Sequence, residues 1–169
     1  VYVPAPRLAS LARLLVKTVS ADVRLEDVAN NVTLETVSGD IILSGVINVL
    51  EATGISGDIR VRGRATEATV ETVSGDIVIE GDVEELDGAS ISGDLRVEGD
   101  AREAELGTTS GDIVITGTVG SIEANSVSGD IRIGKASVSA EADTVSGDIH
   151  LNGNGLEDTD LGSVSGTVR

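Results

Sequence analysis

The chain has 169 residues, and its 29 aspartates and glutamates outnumber 12 lysines and arginines to give a net charge of −17. That charge argues against binding to a nucleic-acid backbone, and a single aromatic residue, Tyr2, excludes a platform for stacked bases. The absence of cysteine excludes disulfides and thiolate metal sites, and no apolar run is long enough for a membrane span, but 40% apolar residues can form a core.

Residues 1–17 precede the first full copy of an internal repeat. Two interpretations of their apolar residues are possible. Leu14 and Val16 could occupy inward positions of a partial copy of the repeat, or Leu8, Leu11 and Leu15 could form one face of a short helix. In either form we expect this segment to cap the repeat domain, which covers residues 18–169. Because the sequence opens with Val1, we also expect a mature form or an excised fragment.

The tetrapeptide Ser-Gly-Asp-Ile recurs along the rest of the chain with a period of 18 residues. Copies begin at residues 38, 56, 74, 92, 110, 128 and 146, with Leu95 once replacing isoleucine, and degenerate copies begin at Ser20 and Ser165. These seven full and two degenerate copies, nine in all, indicate stacked structural units. We call each 18-residue unit a rung and each Ser-Gly-Asp segment a corner.

The apolar positions of a rung are typical of strands. Two apolar residues follow each corner at a spacing of two, as in Ile59 and Val61, which predicts a strand with one buried face. We also predict that the apolar residue before each corner, such as Val37, points inward, with the hydroxyls of Thr36 and Ser38 pointing outward. The expected fold is an all-β, parallel β-solenoid with 18 residues per rung and about nine rungs, roughly 40 Å long.

A second period alternates large and small residues between neighbouring rungs. Arginine alternates with other residues at one outward position, and valine or leucine alternates with alanine at two inward positions, as in Leu86 and Ala104. We infer a duplicated two-rung unit of 36 residues whose layers interdigitate. A single 36-residue coil with two similar halves is the rival geometry, but it would stack large residues on large ones.

The corners carry the most regular set of polar groups. We expect glycine to permit the tight turn and the serine and aspartate side chains to bond local backbone groups. The aspartates would form a ladder about 4.8 Å apart, where like charges repel unless the backbone or a serine hydroxyl of the next rung donates hydrogen bonds, or calcium binds. The calcium candidates are Asp40, Asp58, Asp76, Asp94, Asp112, Asp130 and Asp148. No other cofactor is expected.

Other functional patterns have less support. A second acidic stripe (Glu51, Asp87, Glu105, Glu123, Glu141) fits a solvated face. Outward threonines such as Thr36 would resemble an ice-binding array, although glycine and serine replacements interrupt it. His150 is the single histidine and is expected on the surface, and no nucleophile, base and orienting group can be assembled, so we predict no enzyme and no catalytic residue.

The Thr-Val-Ser-Gly-Asp-Ile rows, such as Thr36–Ile41, and the opening Val-Tyr-Val-Pro resemble a bacterial family of β-strand-repeat proteins labelled as adhesins, a domain of unknown function. The resemblance covers essentially the whole chain. It implies a right-handed β-solenoid, which is also the usual crossover hand, in proteins associated with bacterial envelopes or cytoplasmic scaffolds. The chain lacks the less regular β segment that precedes the repeats in typical members, and the family brings no catalytic residues to transfer.

We therefore predict a non-catalytic structural or adhesion module, a rigid acidic rod for cell-envelope or scaffold interactions, with an envelope or extracellular location favoured over the cytoplasm. The half rung at Arg169 leaves an open strand edge, through which copies of the chain are expected to stack. We expect no nucleic-acid partner and no insertion into a membrane, and the sequence selects neither a protein nor a surface glycan. The alternatives are a carbohydrate-binding or carbohydrate-modifying β-helix, a calcium-stiffened extracellular rod, and an acidic DNA mimic.

Overall fold

The structure is a computed structural model that describes residues 2–3, 13–28, 30–153 and 156–169. In those ranges every regular element is a β-strand. The strands are β1 (Tyr2–Val3), β2 (Arg13–Ser20), β3 (Val23–Val28), β4 (Asn31–Ser38), β5 (Ile41–Ser56), β6 (Ile59–Ser74), β7 (Ile77–Ile79), β8 (Asp82–Ser92), β9 (Leu95–Val97), β10 (Ala101–Ser110), β11 (Ile113–Ser128), β12 (Ile131–Ser146), β13 (Ile149–Gly153) and β14 (Asp158–Ser165). Each corner lies between two of these strands.

The strands pair in parallel, each residue lying beside its counterpart one rung away. Between β5 and β6 the register runs from Ile41 beside Ile59 to Ser56 beside Ser74, a constant offset of 18 residues. The predicted all-β, parallel β-solenoid is confirmed, with about eight turns rather than nine, because nine corners enclose eight intervals. The 36-residue coil is excluded, since its strands would pair at twice this offset.

The register changes near the end of the described chain. Residues of β12 lie beside β13 at an offset of 18 for Ile133 with Leu151 and of 17 for Ala136 with Gly153, but beside β14 at an offset of 19, as in Ser139 with Asp158. Two additional residues therefore separate Gly153 from Asp158 compared with the preceding rung, and the parallel pairing continues in β14.

The core is a column of aliphatic side chains inside the strands. The two positions after each corner are buried as far as Ile149, with Ile59 at 0% and Val61 at 3% exposure, whereas Val168 after the last corner is exposed. The alternating positions are buried as well: Leu86 and Ile122 alternate with Ala68, Ala104 and Ala140 in neighbouring rungs. A side chain added at Gly88 would meet the Cδ2 atom of Leu106, 2.9 Å away in the next rung. The large residue of one rung thus fills the space left by the small residue of another.

The position before each corner faces solvent, which corrects the prediction that it points inward. Val37 and Ile55 are 43% and 47% exposed, whereas Thr36, predicted outward, is 5% exposed. Strand side chains alternate, so because Leu34 is buried, Thr36 must also point inward and Val37 outward. The corner then resets the alternation, and Ile41 points inward again. With the threonines buried, the ice-binding array does not form.

The N-terminal segment is described from residue 13 onward, apart from β1. Strand β2 pairs with β4 at an offset of 18, and Leu14 and Val16 are partly buried against the core, as in a solenoid turn. Leu15, which the helical alternative used, is exposed on β2. Leu8 and Leu11, the rest of that helical pattern, lie outside the described residues.

Candidate functional site

The corners from Gly39 onward stack so closely on the preceding corner that a Cβ atom at their centre would clash, while Ala21 occupies the centre of the first corner. A Cβ atom added to Gly39 would lie 2.6 Å from the carbonyl oxygen of Ala21, and one added to Gly57 would overlap the carbonyl of Gly39. Gly39 also has a φ of 134°, a backbone conformation that favours glycine. Both effects keep the backbones of successive rungs in contact at the corner.

The corner aspartates form the ladder that the sequence predicted, and backbone hydrogen bonds hold it together. The Oδ1 atom of each aspartate accepts a hydrogen bond from the backbone N–H of the equivalent residue one rung later. The acceptors are Asp22, Asp40, Asp58, Asp76, Asp94, Asp112, Asp130 and Asp148, at 2.8–3.1 Å. Each bond places a backbone donor against a carboxylate, which offsets the repulsion between stacked charges.

A shorter aspartate ladder, missed in the sequence, occupies a second corner of the rung. The backbone N–H of Asp100 donates to Asp82 Oδ1 over 3.3 Å, and the N–H of Thr118 donates to Asp100 Oδ1 over 2.7 Å. The signal was present, because Gly81-Asp82 and Gly99-Asp100 repeat the Gly-Asp pair of the main corner. Without the preceding serine, these pairs do not match the tetrapeptide.

Buried hydroxyls line the inner side of the Ser-Gly-Asp corners. Thr108 and Thr144 donate through Oγ1 to the carbonyl oxygens of Gly93 and Gly129, over 3.4 and 3.3 Å. Ser90, Ser126 and Ser163 make the same bond to the glycine of the preceding rung. The Oγ1 atoms of Thr36 and Thr72 are buried without a hydrogen-bond partner. A buried hydroxyl therefore fastens the later corners but not these two.

Arginine side chains contact acidic residues both at the corners and elsewhere on the rungs. Arg132 lies within 3.2 Å of Asp112 and within 2.5 Å of Asp130 and so joins two members of the ladder. Arg60 and Arg62 both contact Glu80. Glu80 raises the pKa of the Arg62 guanidinium above its ordinary value, first through a hydrogen bond and second through its charge.

The aspartate ladder does not gather into a multidentate metal site in the part of the chain that the structure describes. That part contains no group of three or more histidine, cysteine, aspartate or glutamate side chains placed to hold one ion. The seven calcium candidates are instead spread one per rung and bonded to backbone. His150 is exposed on β13, beside Arg132 of β12.

Another regular set of side chains lies on the outer face of the sheet that ends at each corner. We call the exposed residues before the corners the apolar column: Val19, Val37, Ile55, Val73, Ile91, Val127, Val145 and Val164, with Thr109 between Ile91 and Val127. The position four residues earlier is acidic in six rungs and is occupied by Leu15, Thr33 and Thr69 in the others. We call its acidic members the acidic column: Glu51, Asp87, Glu105, Glu123, Glu141 and Asp160. Both columns run along the rod, about 13 Å apart.

The stacked corners and the parallel pairing of successive rungs define a repeat protein of the β-solenoid class. No helix in the described ranges has the length and apolar character required to cross a membrane. The profile of the Toastrack DUF4097 family matches residues 1–99 and again residues 82–169, so the chain belongs to the Toastrack DUF4097 family. This confirms the predicted resemblance to a family of β-repeat domains. Neither the search of curated proteins nor the search of solved structures found a match.

Proposed function

We propose that the chain is a non-catalytic structural module: a stiff, acidic rod that holds side chains at fixed intervals for adhesion or scaffold contacts. The observation that carries the proposal is the continuous register of 18 from β4 to β11, with an aspartate hydrogen bond at every corner. Such a structure resists bending because each rung is bonded to its neighbours at several points around the turn.

The hydrogen bonds made by the polar groups at the corners support a structural role for these groups. Each ladder aspartate accepts a hydrogen bond from the backbone of the next rung, and the buried hydroxyls of the later corners, such as Thr108, bond glycine carbonyls. An active site is recognised by a reactive group, a partner that orients it and a stabilising donor placed around one reacting atom. The corner chemistry instead repeats the same group once per rung, about 4.8 Å from the next.

Stiffness is tested by distance measurements between two spin labels. The chain has no cysteine, so the exposed corner serines Ser38 and Ser146 can be replaced by cysteine and labelled uniquely. They lie six rungs apart, about 29 Å along the rod. We expect one narrow distance distribution near this value, unchanged between 5 and 40 °C. A broad distribution, or one that shortens on warming, would contradict the stiff rod.

Adhesion is tested separately, because a rod can be stiff without binding a surface. Beads coated with the whole chain are passed over arrays of bacterial-envelope glycans and matrix proteins, with beads coated with an unrelated acidic protein as the control. Retention specific to this chain would support adhesion. Equal retention of both beads would leave a scaffold as the structural role and remove the adhesive one.

A further inference from the structure

The outer face of the sheet combines exposed apolar residues with unneutralised acidic ones. Eight aliphatic side chains of the apolar column are each between 41% and 82% exposed, and they follow one another along the rod rather than being scattered. Isolated exposed aliphatic residues are ordinary in a soluble protein, but a row of them, here interrupted once by Thr109, is a feature of interaction sites.

The charges beside the apolar column are strongly one-sided. The acidic column and the outward position two residues after it carry nine acids: Glu35, Glu51, Glu71, Asp87, Glu105, Glu123, Glu141, Asp143 and Asp160. Lys17 is the one lysine or arginine at these positions, so the sum is one minus nine, or −8. Of these nine acidic residues, only Glu35 has a lysine or arginine within 4.0 Å among the described residues, and that partner is Lys17.

Elsewhere among the described residues some carboxylates are paired and others are not. Arg64 pairs with Asp82, Arg102 with Glu85 and Arg132 with Asp130, whereas most corner aspartates, such as Asp58 and Asp76, are bonded to backbone and have no arginine within 4.0 Å. The arginines are thus placed where they neutralise neighbouring carboxylates, and the outer face is left with its charge uncompensated. A binding partner that supplied cations would gain both attraction and relief of the repulsion within the acidic column.

From these features we infer that the outer face binds a basic amphipathic helix of a partner protein, its apolar stripe on the apolar column and its lysines and arginines against the acidic column. The inference deepens the proposed function, on which it rests, by naming the class of partner that the rod would hold. Charge complementarity selects this occupant: a second copy would oppose −8 with −8, and phosphate or anionic lipid would be repelled.

The spacing of the apolar column also favours a helix lying along the rod. Its members are about 4.8 Å apart, and successive turns of an α-helix advance by 5.4 Å, whereas same-side residues of an extended strand advance by about 6.7 Å. A helix is about 10–12 Å wide, comparable to the 13 Å between the two columns. The face is about 38 Å long, so the contact would bury roughly 1,000 Å² in total, the size of a weak, reversible interface.

Binding is tested with a synthetic helix as the probe. The probe is a fluorescein-labelled 21-residue peptide with leucines on one helical face and lysines on its flanks, compared with a scrambled peptide of the same composition. We expect micromolar binding of the amphipathic peptide by fluorescence anisotropy, at least tenfold weaker binding of the scrambled one, and loss of most affinity between 50 and 500 mM salt. Equal binding of the two peptides would overturn the inference by showing only attraction between opposite charges.

Substitutions locate the site on the molecule. The triple variant Ile55→Thr, Val73→Thr, Ile91→Thr removes apolar side chains while keeping β-branched residues, and Thr109 already occupies one position of the column. We expect it to bind the amphipathic peptide at least tenfold more weakly. The control is Val46→Thr with Val138→Thr, which changes exposed valines outside the column and should bind as the original chain does.

Two results would refute the assignment even with a folded triple variant, verified by its circular dichroism. One is unchanged affinity of that variant for the peptide. The other is a concentration-dependent dimer of the original chain, seen by light scattering and abolished by the triple variant, which would make a second copy the occupant. Neither result changes the spin-label distances expected for a stiff rod, so the inference can fail while the proposed function stands.

Discussion

The glycine at the centre of a stacked corner should not tolerate even a single added methyl group. In Gly75→Ala the new Cβ would overlap the carbonyl oxygen of Gly57 and lie 2.7 Å from its carbon, and both atoms belong to backbone that cannot rotate away. The matched control is Gly107→Ala, because a Cβ at Gly107 meets no atom within 4 Å. The same chemical change is thus made where it overlaps the neighbouring rung and where it does not.

The magnitude follows from the bonds that the displaced corner must lengthen. To clear the overlap, the two rungs must separate by about 1 Å, which weakens three hydrogen bonds: Gly57 N–H to Ser74 O at 3.2 Å, Ile59 N–H to Asp76 O at 2.9 Å, and Asp76 N–H to Asp58 Oδ1 at 3.0 Å. At about 1 kcal/mol each, the loss is about 3 kcal/mol. Gly107→Ala should instead stabilise by about 0.5 kcal/mol, by restricting the unfolded chain.

Urea unfolding followed by circular dichroism at 218 nm measures both variants, since the one tyrosine makes fluorescence uninformative. In a thermal scan the loss for Gly75→Ala corresponds to a melting temperature lower by about 6–12 °C. If Gly75→Ala and Gly107→Ala unfold within 0.5 kcal/mol of one another, close backbone stacking is not what requires glycine at the corner.

Three further predictions concern the corner polar groups. Thr144→Val removes the hydrogen bond to Gly129 and should lower the free energy of unfolding in urea by about 1 kcal/mol. Thr36→Val removes a hydroxyl that has no partner and should leave the stability unchanged or raise it. Equal losses of stability in the two variants would contradict these bonding assignments. Asp94→Ala loses the acceptor for the N–H of Asp112 and should lower the free energy of unfolding by about 1 kcal/mol. Asp94→Asn keeps an acceptor and removes a stacked charge, so it should not destabilise the protein. If Asp94→Asn destabilises as much as Asp94→Ala, this account of the ladder is refuted. Because the ladder oxygens already accept backbone hydrogen bonds, melting temperatures in 2 mM calcium and in chelator should agree within about 1 °C, and a higher value with calcium would restore the calcium-stiffened rod.

The sequence could not distinguish the two faces of the segment before each corner. Val37 and Thr36 are both β-branched and fit a strand on either face, so apolarity favoured placing Val37 inside. The burial of Thr36 depends on the alternation inherited from Leu34, and the later equivalents of Thr36 are compensated by a glycine carbonyl of a neighbouring rung. That carbonyl is 15 residues away in sequence, and its position is defined only once the rungs are stacked.

The sequence by itself determined the 18-residue rung, the inward positions after each corner and the parallel stacking, because a residue that is buried in every rung must stay apolar in every copy. It also predicted the aspartate ladder, and the structure then showed that backbone N–H groups, one of the alternatives left open, are its donors. Tertiary structure alone decided which side chains the rod presents to a partner. The corner turns the chain within three residues and resets the alternation of side chains, so the apolar column becomes an exposed row beside unpaired carboxylates only when the rungs are placed together in space.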